Sequence, residues 1–225
     1  MMKTLIYGNG AMARTVYSYA RNSNGVVGFT VDENCIPEGE TLFQGLPLVP
    51  FSRVETVFDP RQHSMIVAVG FVQMNRLRQR KWEESAHKGF GLTGYVHHSV
   101  IRHDDVSIGD GCIILDHVSI HAGSNIGRGS FISSNVNVGH DCRIDERYWI
   151  NSGVAIGGKC TIGQGCFFGV NSAATDGITL GQRNFVAANT LINRNTEDNQ
   201  VYLSEPGQLF RLESDAFLRF ARITG

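Results

Sequence analysis

Two groups of residues in this 225-residue chain have the types and spacing of chemistry. The first is His140 beside Asp141, in the stretch "ISSNVNVGHDCRIDERYWI" at 132–150. Imidazole titrates near neutrality, so it can take a proton from an attacking group. An adjoining carboxylate raises its basicity by favouring the charged form. The second group is the turn Gly8-x-Gly10-x-x-Ala13, between a strand-like and a helix-like run. Glycines there let backbone N–H groups approach a phosphate at a helix N-terminus. Asp32 closes the next apolar run, 22 residues after Gly10, where its carboxylate can meet a ribose or a base edge. Gly70 closes a third run and is counted with Gly8, Asn9, Gly10 and Asp32 as substrate-binding. The same turn also suits plain packing of a helix on a sheet, and a lone His also suits a solvated surface.

The elements that must hold these residues follow two grammars. Residues 1–92 alternate strand and helix: "TLIYG" (4–8), "AMARTVYSYARN" (11–22), "VVGFTVD" (26–32), "SMIVAVG" (64–70) and "MNRLRQRKWEESAHKG" (74–89). This is βαβ order, hence a small Rossmann-like α/β domain with a parallel sheet. Its length is half that of a dinucleotide-binding fold, so a single nucleotide fits better than NAD. Residues 93–200 repeat every six: each sixth position from Ile108 through Ile114 and Val138 to Ile192 is apolar. Two residues earlier stands a mostly small or medium side chain, among them Val106, Cys112, Ser124, Cys142, Cys160 and Cys166. Neither a helix nor an alternating strand has a period of six, so this is a β-solenoid with inward ladders of aliphatics. The register does not slip between 108 and 192, so no long loop interrupts it. Residues 201–225 form a tail, expected to be helical, whose Phe210, Phe217 and Phe220 are read as packing on the core.

Composition narrows the function. The formal net charge is −1, and the longest basic stretch is the short "RLRQRK" at 76–81, which argues against nucleic acid or a membrane surface as partner. No apolar run reaches the length of a transmembrane helix and no signal-peptide layout opens the chain, so membrane insertion is not expected. Five cysteines without a CxxC pair fit a reduced cytoplasmic setting. The eight histidines include no pair 36 apart, the spacing of metal-binding solenoids that resemble carbonic anhydrase, so no metal is expected.

Five segments carry a family resemblance: "YGNGAMAR" (7–14), "GYVHHSV" (94–100), "VGHDCRID" (138–145), "GVNSAA" (169–174) and the hexads. Over nearly its whole length the chain resembles the bacterial hexapeptide-repeat sugar acetyltransferases. In these a small nucleotide-sugar domain precedes a left-handed parallel β-helix of three hexads per coil. The resemblance implies an acetyl-CoA-dependent N-acetyltransferase acting on a nucleotide-linked amino-deoxy sugar for surface-glycan synthesis. It implies His140 as general base, Asp141 as its partner, and the Gly158 backbone N–H, one coil later, as donor to the oxyanion. It further implies acetyl-CoA contacts at Val170 and Ala188, a homotrimer with sites between subunits, and cytoplasmic residence. The family's second His, nine residues past the base, meets the acetyl group; Trp149 holds that position and is expected to bind acetyl-CoA. The family's closing Gly-x-Pro-Ala-Lys is replaced by "YLSEPGQLF" (202–210), so the cofactor's phosphates are expected to meet Arg183 or Arg194. O-acetylation of sialic acid or another sugar, and a non-catalytic sugar-nucleotide scaffold, stay open as alternatives.

Overall fold

A computed structural model describes residues 2–23 and 25–222. The N-terminal α/β part is built from β1 (Lys3–Tyr7), α1 (Ala11–Ala20), β2 (Val26–Val31), β3 (Leu42–Phe43), β4 (Leu46–Pro50), α2 (Val54–Val57), β5 (His63–Val67), α3 (Arg76–His87) and β6 (Gly91–Leu92). Its sheet runs β3-β4-β2-β1-β5-β6, parallel except for the β3–β4 hairpin. β3, β4 and α2 were not read from the sequence; β3 is only two residues long, too short for alternation to show.

From Tyr95 onward the chain forms two-residue strands at every sixth residue. Among the described residues they stack into three parallel sheets of seven, six and five strands. Strands pair with the one 18 residues later, as Ile113 with Phe131 and Phe131 with Trp149, until the last step, where Phe185 pairs with Val201. The result is a three-sided parallel β-helix. The second residue of each strand points inward, and Ile114, Ile132, Val138, Ile150 and Phe168 are fully buried. Cys142, Cys160 and Cys166 complete the interior and read as packing.

The first residue of each strand points outward, and its character differs by side. On the seven-strand side the outward residues include Tyr95, Ile113, Phe131 and Trp149, all buried in one cluster with the α/β core. On the six-strand side they include Ser119, Asn137, Ala155 and Ala173, and on the five-strand side Ser107, Asn125, Arg143, Thr161 and Thr179. The hydrophobic effect therefore seats the α/β part on the seven-strand side alone. Phe71 extends this contact to Phe167, with ring centroids 4.4 Å apart.

Polar ties fix the junction, among them the Asn75 amide donating to the Arg147 carbonyl at 2.9 Å. The buried Arg78 guanidinium donates to the carbonyls of Val67 (3.1 Å) and Gly129 (2.6 Å), and more weakly to Gly111 (3.4 Å). Burial pushes its pKa down to about 10, which leaves it charged at neutral pH. Tyr19, on α1, donates to Asp116 on a solenoid corner at 2.6 Å.

The tail contains α4 (Ser214–Phe220), with no buried residue. Phe210, Phe217 and Phe220 contact one another but remain 50%, 40% and 65% exposed. This corrects the expectation of core packing: the solenoid interior is already filled by its own ladders. Residues 223–225 of the expected tail lie outside the described residues.

Candidate functional site

The sequence-predicted residues fall into two places. The first is the crevice at the carboxyl ends of β1 and β5. These strands are neighbours, yet the chain leaves β1 towards β2 on one side and β5 towards β6 on the other. Such a switch point opens a cleft, and ligands of open α/β sheets bind there. Gly8 has φ +131, and an added Cβ would stand 2.8 Å from the Ala68 carbonyl oxygen. Only glycine lets the two strand ends approach so closely. An added Cβ at Gly10 or Gly70 would meet nothing within 4 Å, so both border open space. Gly10 also caps α1, whose first N–H groups lack a side-chain cap. The Asn9 amide donates to the Cys35 carbonyl at 2.7 Å and ties the turn to the segment after β2.

Asp32 stands beside this crevice but is partly committed. Its Oδ1 accepts from Lys81 Nζ at 2.7 Å, and Lys81 also binds Glu84 at 2.7 Å. Burial works against the Lys81 charge; the Asp32 and Glu84 carboxylates more than offset it and raise its pKa. Burial, then the hydrogen bond to Asp32, pushes the Tyr7 hydroxyl far up, so Tyr7 stays protonated. Lys81 and Tyr7 were not singled out from the sequence. Their link to Asp32 spans 49 residues for Lys81, which no local pattern reveals.

The second place is the corner between the six-strand and five-strand sides, where residues 140, 158 and 176 stack on successive coils. His140 Nδ1 meets Asp141 Oδ2 at 2.8 Å, with side chains 55% and 59% exposed. A carboxylate accepts from Nδ1–H, which leaves Nε2 as the free basic nitrogen. Asp141 adopts φ +56, and the coil before makes room for it with Gly123, whose Cβ would otherwise lie 2.4 Å from Asp141 Oδ1. The imidazole lies over Gly158: an added Cβ there would stand 2.6 Å from His140 Nε2.

The expectation that the Gly158 N–H stands open as an oxyanion donor is corrected. The Gly158 N–H already donates to Asp176 Oδ1 at 2.6 Å. A carboxylate one coil further fills the position intended for an oxyanion, because the stack continues beyond Gly158. Asp176 was missed, although a second step of 18 residues from Gly158 reaches it. Trp149 is a second correction. It is 7% exposed, its ring centroid is 4.1 Å from that of Phe131, and its Nε1 donates to Asn151. It belongs to the covered side and is a packing residue, so it is removed from the acetyl-CoA contacts.

Val170 and Ala188 are exposed neighbours on a different corner, joined by the bond from the Asn189 N–H to the Val170 carbonyl (2.9 Å). That corner and the His140 corner are the two edges of the six-strand side. The nucleotide crevice belongs to the part that covers the seven-strand side, away from His140. One chain thus brings together Gly8, Gly10 and Gly70, and separately His140, Asp141, Gly158 and Asp176. It does not unite the crevice, the His140 corner and the Val170 corner.

Among the described residues no group of three or more His, Cys, Asp or Glu is placed to hold a metal, and no helix is long and apolar enough to cross a membrane.

The architecture, a small α/β part seated on a three-sided parallel β-helix, is shared with solved acetyltransferases. Perosamine N-acetyltransferase from Caulobacter crescentus, solved as a histidine-to-asparagine mutant with CoA and GDP-perosamine, matches with TM-score 0.80 and 25% identity over 89% of this chain and 93% of that one. The acetyltransferase domain of PglB from Neisseria gonorrhoeae FA1090, solved with acetyl coenzyme A, shares the fold with TM-score 0.78 and 23% identity over 88% and 94%. WeeI from Acinetobacter baumannii AYE shares it with TM-score 0.66 and 17% identity over 89% and 96%. No protein-family model and no curated protein sequence matches the chain. The first of these is an N-acetyltransferase solved with a nucleotide-linked sugar and the second an acetyltransferase domain, in line with the family that the sequence resembles.

Proposed function

We propose that the chain is an acetyl-CoA-dependent N-acetyltransferase of a nucleotide-linked amino sugar, serving surface-glycan synthesis in the cytoplasm. The observation that carries the reading is the His140–Asp141 contact at 2.8 Å on an open corner cleared by glycines on the adjoining coils. Support comes from the whole-chain likeness to an enzyme solved with CoA and GDP-perosamine.

The chemistry follows from the protonation states. The acceptor arrives as an ammonium ion, which has no lone pair for attack, and gives one proton to solvent. Its nitrogen then attacks the thioester carbonyl carbon. His140 Nε2 takes the second proton as the C–N bond forms and hands it to the coenzyme A sulfur as the C–S bond breaks. The products are the amide and the free thiol. Asp141 holds the imidazole in the tautomer with Nε2 bare and supports the imidazolium that forms.

The nucleotide would lie over Gly8, Asn9, Gly10 and Gly70, with the α1 N-terminus facing its phosphates. Asp32, oriented by Lys81 and Tyr7, would meet a ribose or base donor. Because one chain holds the crevice and the His140 corner apart, a complete site draws on a neighbouring copy, in keeping with a homotrimer. Val170 and Ala188 would flank acetyl-CoA in that cleft. On this reading residues 1–92 would carry the nucleotide site, 93–200 the acyl-transfer site and 201–225 a tail.

The test is incubation with acetyl-CoA and a panel of UDP-, dTDP- and GDP-linked 4-amino sugars, with release of free thiol as readout. We expect turnover with one of them and a loss of about 10²-fold or more for His140→Ala. Undiminished turnover in that variant would remove the base, and a silent panel would remove the activity.

A further inference from the structure

We propose that Asp176 selects an amine over a hydroxyl as the acyl acceptor, by leaving the Gly158 N–H for the acceptor's ammonium group. The inference rests on the acetyltransferase reading above and concerns the same corner.

The observation is a notch made by two adjacent glycines. At Gly157 an added Cβ would stand 2.7 Å from Asp176 Oδ1 and 2.6 Å from the Asp176 backbone nitrogen. At Gly158 it would stand 2.6 Å from His140 Nε2. Gly157 thus makes room for the carboxylate and Gly158 for the imidazole. One glycine backbone separates the base from a second carboxylate, and its N–H is donated to that carboxylate at 2.6 Å.

The arrangement is unfavourable for an oxyanion as it stands. Asp176 occupies the N–H, and its charge repels a second negative oxygen nearby. It is favourable for a cation. Asp141 is committed to His140, whereas Asp176 has no cationic partner among the described residues, although Lys159 and Arg194 occupy adjoining positions of the stack. An ammonium group entering the notch is a stronger partner for Asp176 than a backbone N–H, because both members are then charged. When the carboxylate turns to it, the Gly158 N–H is released to face the thioester carbonyl oxygen, where charge develops; the ammonium then gives one proton to solvent, its neutral nitrogen attacks, and Asp176 holds an N–H of the nitrogen that turns cationic as the C–N bond forms, while His140 takes the second proton. A neutral hydroxyl attracts the carboxylate less, so the N–H stays covered. Acceptor choice and assembly of the oxyanion site are then one event, a form of induced-fit specificity.

The experiment uses the nucleotide-linked 4-amino sugar that the wild type acetylates, and its 4-hydroxy counterpart. Asp176→Asn retains an oxygen for the Gly158 N–H and loses the charge. Asp176→Ala removes both. With Asn we expect kcat/KM for the amine to fall by about 10-fold or more, chiefly through KM, at unchanged Tm. With Ala we expect the amine-to-hydroxyl preference to fall by about 10-fold or more, as the freed N–H serves either acceptor. A preference unchanged from wild type in both variants, while the wild type turns over the amine, overturns the role of Asp176 and leaves the acetyltransferase reading intact. An equal loss on both acceptors, reflecting a purely structural role, overturns it as well. A wild type silent on every amino sugar overturns both.

Discussion

Gly158→Ala separates the positioning of the base from the stability of the fold. Gly158 does not adopt a positive φ, so its backbone accepts alanine. The added methyl carbon would stand 2.6 Å from His140 Nε2, 2.8 Å from Cδ2 and 3.1 Å from Cε1, against an ordinary contact of 3.4 Å or more. The ring must therefore retreat by about 0.8 Å, the shortfall at Nε2. It can do so because the His140 side chain is 55% exposed. A shift of about 1 Å in a reacting group costs on the order of 10²-fold in rate. The same substitution removes backbone freedom from the unfolded chain, which adds about 0.4–1 kcal/mol of stability at a compatible site. The expected result is a kcat lower by about 10²-fold at an unchanged or slightly raised Tm. Thiol release measures the first and thermal unfolding the second. The double variant His140→Ala/Gly158→Ala should be no slower than His140→Ala, since both changes remove one function. Retention of more than half of the wild-type kcat would refute the placement of Nε2 at the reacting centre. A Tm loss of several degrees would refute the premise that the ring is free to move.

Two further outcomes test the junction. Trp149→Ala should cost about 3–5 kcal/mol of stability, because it opens a cavity between Phe131 and Phe71; a raised KM for acetyl-CoA at unchanged Tm would instead restore Trp149 as a cofactor contact. Tyr19→Phe should cost about 1 kcal/mol and lower Tm by a few degrees. The Ser134 hydroxyl, then that of Tyr19, holds the Asp116 carboxyl below its ordinary value of 3.8. A carboxyl lowered by folding stabilises fully above that value and loses the contribution as pH falls through its folded pKa. As pH falls below about 4, the fall in Tm should therefore be shallower in Tyr19→Phe than in wild type, and equal slopes would refute the tie.

The period of six was legible because each hexad repeats one local event: an inward aliphatic, an outward residue and a turn. Such a pattern needs no distant partner, so strand positions and the inward ladder could be read directly. The Gly8 turn and the His140–Asp141 pair were legible for the same reason, being contiguous. β3 and β4 were not: the two residues of β3 have no period to detect, and β4 carries Pro47 and Pro50, which read against a strand. The outward residues carry a further signal: aromatics and isoleucine at 95, 113, 131, 149 and 167 against mostly Ser, Asn, Ala and Thr on the other two sides, where Ile101 and Leu191 stand at the ends and Arg143 between. That difference names the covered side, and it explains why Trp149 packs rather than binds.

By itself the sequence determined the solenoid, its register and the α/β module before it, because steric periodicity and turn chemistry act over a few residues. Only the tertiary structure decided which side the module covers, that Arg78 and Tyr19 hold it there, that Lys81 orients Asp32, and that Asp176 rather than open space faces the Gly158 N–H. These are contacts between residues far apart in the chain or on successive coils. Their distances depend on how whole layers pack, and a one-dimensional pattern does not contain that information.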